Sequence, residues 1–451
     1  MNKYQDILDK NLIYKSGYNE SKIKIVYADY TASGLPSPII EKYLEKNIYP
    51  YYSNTHSNAS NGIYIKNKIA TIKNSIRKNF NISNDYKIIF TGNGTTGAIN
   101  HLVNTIDYTI YNKTYIYISS YEHYSNYLPW IELHNKNENI HVKIIPFDNN
   151  NELDIEWFDN NVKENCLENN TLIILSIINC SNVNGIFLPI EKFKNIFYKY
   201  KNNTITKYFF SDYACSAPYV KIDASNYDAI FFSPHKFIGG VSTPGILIAH
   251  KKIFTKQTPF CPGGGCVINA THDKIIYQTD IEKKETAGTP NIIGIFRIDQ
   301  VILLKNKIYD IIENNEIILA DIILNTVKLF ENKYPNFKTI LYDKTNNKKL
   351  PIISFVIKEL HYNFIVVLFS DLFGIQTRGG NSCCGLLAEH IKNKYNYDGW
   401  CRITFHWSMN KKIIKYIITA WDYIIANGKS HLKDYTFNSS QNLFFKSNKI
   451  K

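Results

Sequence analysis

Ser233-Pro-His-Lys-Phe-Ile-Gly-Gly240 follows the apolar run Ala229-Ile-Phe-Phe232 and precedes Ser242-Thr-Pro-Gly-Ile-Leu-Ile248. This places one lysine, Lys236, in a turn at the end of a buried strand. Stripped of water there, its ammonium loses solvation and the free amine becomes available to attack an aldehyde. An ordinary surface lysine in a strand-to-loop turn would give the same octet, so the rest of the chain decides.

Outward from this stretch the pattern alternates. Isoleucines at 65, 69, 72 and 76 with Phe80 keep helical spacing, and 87–91 then reads as a strand entering a glycine-rich turn. Residues 115–119, 142–145, 172–178, 207–210, 229–232 and 246–249 read as further buried strands, several separated by helical stretches such as 190–200. That order predicts an α/β fold with a mostly parallel sheet covered on both faces, whose function gathers at the carboxyl ends of the strands.

A helical pattern over 291–333 bridges to strands at 350–357 and 401–405 and helices at 362–373, 383–395 and 411–427, a smaller α+β domain. The expected division is an N-terminal segment 1–25, a large domain 26–290, a bridging helix 291–335, the small domain 336–427 and a loosely attached polar tail 428–451.

With 451 residues, 44% hydrophobic and 20% charged, the chain can bury a large core. The first ten residues scatter their charges, and no run approaches the ~20 apolar residues of a membrane helix. A cytoplasmic protein is expected. The net charge of +13 comes from dispersed lysines without basic blocks, which argues against a nucleic-acid or membrane partner. Eight cysteines without a Cys-x-x-Cys pair read as reduced thiols, with no metal site.

Around Lys236 the strand ends supply a consistent chemistry. Thr91-Gly-Asn-Gly-Thr-Thr-Gly97 opens a helix after a strand, where backbone amides and the helix dipole favour a phosphate, with hydroxyls from Thr95 and Thr96. Asp212 ends the strand one before that of Lys236 and can keep a proton on a pyridine nitrogen. His123, in Ser120-Tyr-Glu-His-Tyr-Ser-Asn-Tyr-Leu-Pro-Trp130, can lie over an aromatic cofactor and relay protons. Lysine, phosphate turn, carboxylate and imidazole together describe a site for pyridoxal 5'-phosphate.

These segments stand in order with Tyr27-Ala-Asp-Tyr-Thr-Ala-Ser-Gly34, Ser181-Asn-Val-Asn-Gly185, Gly263-Gly-Gly265 and Ala287-Gly-Thr-Pro-Asn291. Together they resemble the class V aminotransferases, pyridoxal-phosphate enzymes of fold type I, on the cysteine desulfurase and selenocysteine lyase branch. The resemblance implies that Lys236 binds the cofactor as a Schiff base, Asp212 pairs with the ring nitrogen and His123 stacks on the ring. It implies that Thr95, Thr96, Ser233 and His235 hold the phosphate, and that Asn182 lies beside the ring oxygen and the substrate. Thr289 would reach the phosphate of a second subunit, implying a homodimer with shared sites, and Arg402 would grip the substrate carboxylate.

In Thr377-Arg-Gly-Gly-Asn-Ser-Cys-Cys-Gly-Leu386 the spacing from Arg378 to Cys383 is that of the desulfurases' sulfur-accepting cysteine, whose thiolate a nearby arginine favours. Cys383 could equally be a small packed residue opening a helix, and Cys384 its packed neighbour or its substitute. Cys215 stands where bacterial desulfurases place a glutamine beside the cofactor's phenolic oxygen. The resemblance thus implies removal of sulfur from L-cysteine to give alanine through a persulfide on Cys383, with a sulfur-acceptor protein as partner. An aminotransferase or another α-carbon lyase would share every cofactor residue, and a non-catalytic binding module on the same fold is the third reading.

Overall fold

A strand buried on both faces reads as a nearly continuous apolar run, and Thr171-Leu-Ile-Ile-Leu-Ser-Ile-Ile178, apolar at six positions, has all eight residues buried. The computed structural model describes residues 25–343 and 348–447. The chain divides into two compact units: Gly34–Asn179 with Leu188–Lys307, and the described residues of Met1–Ser33, Cys180–Phe187 and Ile308–Lys451.

The first, larger unit is built on seven strands: β1 (Tyr86–Thr91), β2 (Lys113–Ser119), β3 (Ile140–Ile145), β4 (Thr171–Ile178), β5 (Ile205–Asp212), β6 (Ala229–Phe232) and β7 (Gly245–His250). Their order is β1-β7-β6-β5-β4-β2-β3. Only β7 runs antiparallel to its neighbours, so the predicted mostly parallel α/β sheet is what forms. β4 and β5 pair in register from Thr171 with Ile205 to Ile178 with Asp212, which carries Asp212 to the carboxyl edge. At the same edge, helix α1 (Gly94–Thr105) starts directly after β1. Its first residue lies so close to β7 that a Cβ on Gly245 would meet the Gly94 carbonyl oxygen at 2.0 Å.

The bridging segment is two helices, α2 (Ile292–Lys307) and α3 (Tyr309–Lys333), and the division between units falls between them. In the second unit, β8 (Phe337–Thr339), β9 (Ile352–Ile357), β10 (Arg378–Gly380) and β11 (Trp400–Thr404) form an antiparallel sheet of order β8-β9-β11-β10. It packs with α3, α4 (Tyr362–Phe373) and α6 (Lys411–Asn427), after α5 (Gly385–Tyr395), around Phe330, Phe337, Phe355 and Trp421. Trp421 lies edge-on to Phe330 with centroids 5.2 Å apart.

The tail corrects an expectation. Residues 428–447 are not loosely attached: Tyr435–Asn438 and Leu443–Lys446 pair as a hairpin. Its Tyr435 and Phe444 pack on buried Phe364 at 5.4 and 5.0 Å. Aromatic side chains spaced along the two strands give this segment an apolar face that its average polarity hides. Most of the N-terminal segment 1–25 and the last four tail residues lie outside the described residues. Among the described residues no helix is long and apolar enough to cross a membrane, and none of the eight cysteines is in a disulfide.

Candidate active site

In the larger unit, β6 ends at Phe232 and the chain tightens into a 3₁₀ turn, Pro234–Lys236, after Ser233. Gly240 closes the loop where a Cβ would meet the Pro234 carbonyl oxygen at 1.9 Å, so no other residue fits. Lys236 is half-buried in this turn. Its charge acts on Asp212, which is 1% exposed at the end of β5.

Asp212 Oδ1 accepts from the Ala214 amide at 2.7 Å, whereas Oδ2 has no hydrogen-bond partner among the described residues. Burial pushes this carboxyl up to about 6, with the Ala214 amide and the Lys236 charge pulling it part-way back. A buried carboxylate oxygen left unpaired asks for a donor. Burial, helped by Lys236, also pushes His235 down to about 4, so its imidazole is neutral.

The turn expected to hold a phosphate is equally specific. Gly94 adopts φ +57°, and a Cβ there would meet Ser233 Oγ at 2.7 Å and His235 Cε1 at 3.0 Å. The Thr95 amide and hydroxyl both lie 2.7 Å from Ser233 Oγ. Four of the residues expected around a phosphate, Thr95, Thr96, Ser233 and His235, thus belong to one unit, three of them meeting at the amino end of α1. Thr96 Oγ1 hydrogen-bonds Ser125 Oγ at 2.7 Å, and Ser125 also meets His123 Nδ1 at 3.1 Å through its amide and hydroxyl.

Behind His123 lies a buried network. Ser119 Oγ and the Ile178 amide donate to Glu122 Oε1 at 2.6 and 2.8 Å, and Asn126 Nδ2 donates to Oε2 at 2.7 Å. Burial pushes Glu122 up to about 8 against these donors, and the charge of Asp212 adds to the rise.

In the smaller unit, Arg402 is 2% exposed on β11. Its Nη2 donates to Asp29 Oδ1 at 2.6 Å and its Nη1 to the Asn182 carbonyl at 3.0 Å, while Nε has no partner among the described residues. Asn182 Nδ2 donates to the Ser382 carbonyl at 2.8 Å. Ser382 and Cys383 both take left-handed backbone, φ +52° and +58°. The helix expected from 383 therefore begins at Gly385, with Cys384 just before its first turn, because a left-handed residue cannot sit in a right-handed helical turn. Cys383 is half-buried, with Arg378 Nη2 at 3.5 Å from its Sγ. Cys384 is fully buried, the packed neighbour of the pair.

The aminotransferase class-V family model matches residues 26–417. The chain belongs to the class-V aminotransferase family. A cysteine desulfurase of Wigglesworthia glossinidia brevipalpis is 32% identical over 389 residues, covering 84% of this chain and 88% of its own. A probable cysteine desulfurase of Borreliella burgdorferi is 31% identical over 396 residues, covering 85% and 87%. Among solved structures, the apo cysteine desulfurase of Thermococcus onnurineus NA1 superposes with a TM-score of 0.77 at 21% identity, over 89% of this chain and 95% of that one. The last likeness is one of fold, that of pyridoxal-phosphate enzymes of fold type I.

Against this class-V background, Cys215 is buried and Thr289 is exposed, with Oγ1 accepting from Asn54 Nδ2 at 3.0 Å. Three residues were not singled out by the sequence. Ser125 and Glu122 flank His123 within a quoted motif, and that adjacency was the signal available. Asp29, inside the quoted Tyr27–Gly34 stretch, meets Arg402 across 373 positions of chain, a contact that the stretch itself does not announce.

Proposed function

We propose that the protein is a pyridoxal-phosphate-dependent cysteine desulfurase that removes sulfur from L-cysteine and releases alanine. The observation that carries the reading is Cys383, half-buried on a left-handed turn with the Arg378 guanidinium 3.5 Å from its sulfur. The similarity to proteins named cysteine desulfurase supports it.

The residues fit the cofactor on one decisive point: Asp212 Oδ2 is a buried, unpaired acceptor of the kind that a protonated pyridine nitrogen satisfies. Lys236 would hold the cofactor's aldehyde carbon, and His123 would lie against the ring. Thr95, Thr96, Ser233 and His235 would hold the phosphate, with Cys215 near the phenolic oxygen. The cofactor, when bound, makes the substrate's α-carbon acidic.

The chain's own groups do the rest. Lys236 moves the proton at the α-carbon, and Arg402 orients the amino acid by its carboxylate, with Asn182 beside the ring oxygen and the substrate. The Cys383 thiolate attacks the substrate sulfur: an S–S bond forms, the substrate's C–S bond breaks, and the carbon skeleton takes a proton and leaves as alanine. A sulfur-acceptor protein then removes the outer sulfur. The exposed Thr289 supports a homodimer in which it reaches the neighbouring subunit's phosphate site.

The test is to supply cofactor-loaded protein with L-cysteine and a thiol reductant, and to quantify alanine and sulfide. Matched amounts are expected; a keto acid in place of alanine would make the protein an aminotransferase.

Asp212 adds a pH signature. Raising its carboxyl from 3.8 to about 6 means that the folded chain holds a proton there which the unfolded chain has lost. Stability from this group is present in full below pH 3.8 and is lost as pH rises through about 6. The whole effect is about 3 kcal/mol. A cationic ring beside Oδ2 reverses the preference. Holding the carboxyl ionised costs about 1.4 kcal/mol more at pH 5 than at pH 7.5, so pyridoxal phosphate is expected to raise the melting temperature more at pH 7.5, by roughly 1.5 °C in a chain of 451 residues. Asp212→Asn should level the two shifts, and equal shifts in the unaltered protein would remove Asp212 from the ring nitrogen.

A further inference from the structure

Cys384 adjoins the proposed nucleophile and yet cannot share its work, because it is 0% exposed. Its thiol lies 2.9 Å from Asn182 Oδ1, with the Ser382 carbonyl farther off at 3.7 Å. The Asn182 Oδ1 carries no hydrogen and can only accept, so the thiol is the donor. This orients the carboxamide: with Oδ1 taken by Cys384, Nδ2 is left to donate to the Ser382 carbonyl at 2.8 Å. One amide thereby bridges both sides of Cys383, gripping the residue before it and the residue after it. The same Asn182 offers its backbone carbonyl to Arg402 at 3.0 Å.

The turn so gripped is a costly one. Ser382 and Cys383 are consecutive non-glycine residues at positive φ, a conformation that persists only where its surroundings enforce it. Trp400 Nε1 donates to Ser382 Oγ at 3.0 Å, fixing the turn from a second side. The turn is what sets Cys383 Sγ against Arg378.

We propose that Cys384 is a positioning residue: its thiol locks the Asn182 carboxamide, and the locked amide holds the left-handed turn that presents Cys383 to Arg378. The role in sulfur transfer rests on the reading of Cys383 as the sulfur acceptor; the placement of the thiol does not.

The experiment uses cofactor-loaded, full-length protein and compares Cys384→Ala with Cys384→Ser. The serine hydroxyl can donate to Asn182 Oδ1, and the alanine methyl cannot. In the first arm, iodoacetamide labelling of Cys383 is followed by peptide mass spectrometry at fixed pH. Cys384→Ala is expected to label at least threefold more slowly than the unaltered protein, having lost the guanidinium beside the sulfur, and Cys384→Ser is expected to label within twofold of it. In the second arm, kcat for alanine formation falls at least tenfold in Cys384→Ala with KM within twofold, and serine restores it to within threefold.

If alanine is not a product at all, the desulfurase reading fails and the labelling arm still judges the lock. Equal labelling in all three proteins would overturn the proposal. So would serine behaving as alanine does, or Cys384 taking the label before Cys383.

Discussion

Lys236→Ala is expected to abolish alanine release from L-cysteine, by at least ~1,000-fold or roughly 4 kcal/mol of barrier. The protein should also emerge from purification without the absorbance of a covalently held cofactor. The loss should be chemical and leave folding intact, because the turn is closed by backbone bonds that the side chain does not share. The Lys236 amide donates to the Ser233 carbonyl at 3.1 Å, and the Gly34 amide donates to the His235 carbonyl at 2.8 Å. Circular dichroism and the melting temperature of the cofactor-free protein should therefore match the unaltered chain. Lys236→Arg should not rescue, since a guanidinium stays protonated and cannot act as a nucleophile at an aldehyde. Residual turnover within tenfold of the unaltered protein would reassign the role of Lys236.

The placement of Lys236, Asp212 and the Thr91–Gly97 turn at strand ends was legible in the sequence for a physical reason. In a parallel sheet the function-bearing groups sit where strands end, and strands buried on both faces announce themselves as unbroken apolar runs. Ala229–Phe232 is such a run, and Leu172–Ile178 is one but for Ser176, so the turns after them could be found without coordinates.

What stayed illegible depends on contacts between distant residues or on backbone conformation. Asp29 reaches Arg402 from the other end of the chain. The left-handed pair Ser382 and Cys383 is held by Asn182, two hundred positions earlier, and a serine-cysteine dipeptide gives no glycine to mark positive φ. In the tail, average polarity concealed the alternation that docks Tyr435 and Phe444 on Phe364. The roles of Cys383 and Cys384, left open by spacing alone, part company in their surroundings: one thiol is half-buried beside an arginine, the other fully buried against an amide.

That difference sets the expectation for Cys383→Ala. With its acceptor gone, substrate sulfur has no nucleophile to leave to, and alanine formation should fall at least ~100-fold, about 2.7 kcal/mol of barrier. The residues proposed to receive L-cysteine are untouched, so the absorbance change on adding it should persist with its half-saturation within about threefold. This split separates loss of sulfur transfer from loss of binding. Cys384 cannot take over, because its thiol is enclosed and committed to Asn182, so the double variant Cys383→Ala, Cys384→Ala should be no slower than about twofold below the single one. Trapping with a thiol-specific label and reading the peptide mass should show an extra sulfur on Cys383 in the unaltered protein and on no residue of the variant. Alanine released at the unaltered rate by Cys383→Ala would show that the sulfur leaves without a protein thiol, and the Arg378–Cys383 pair would then have to be explained as packing.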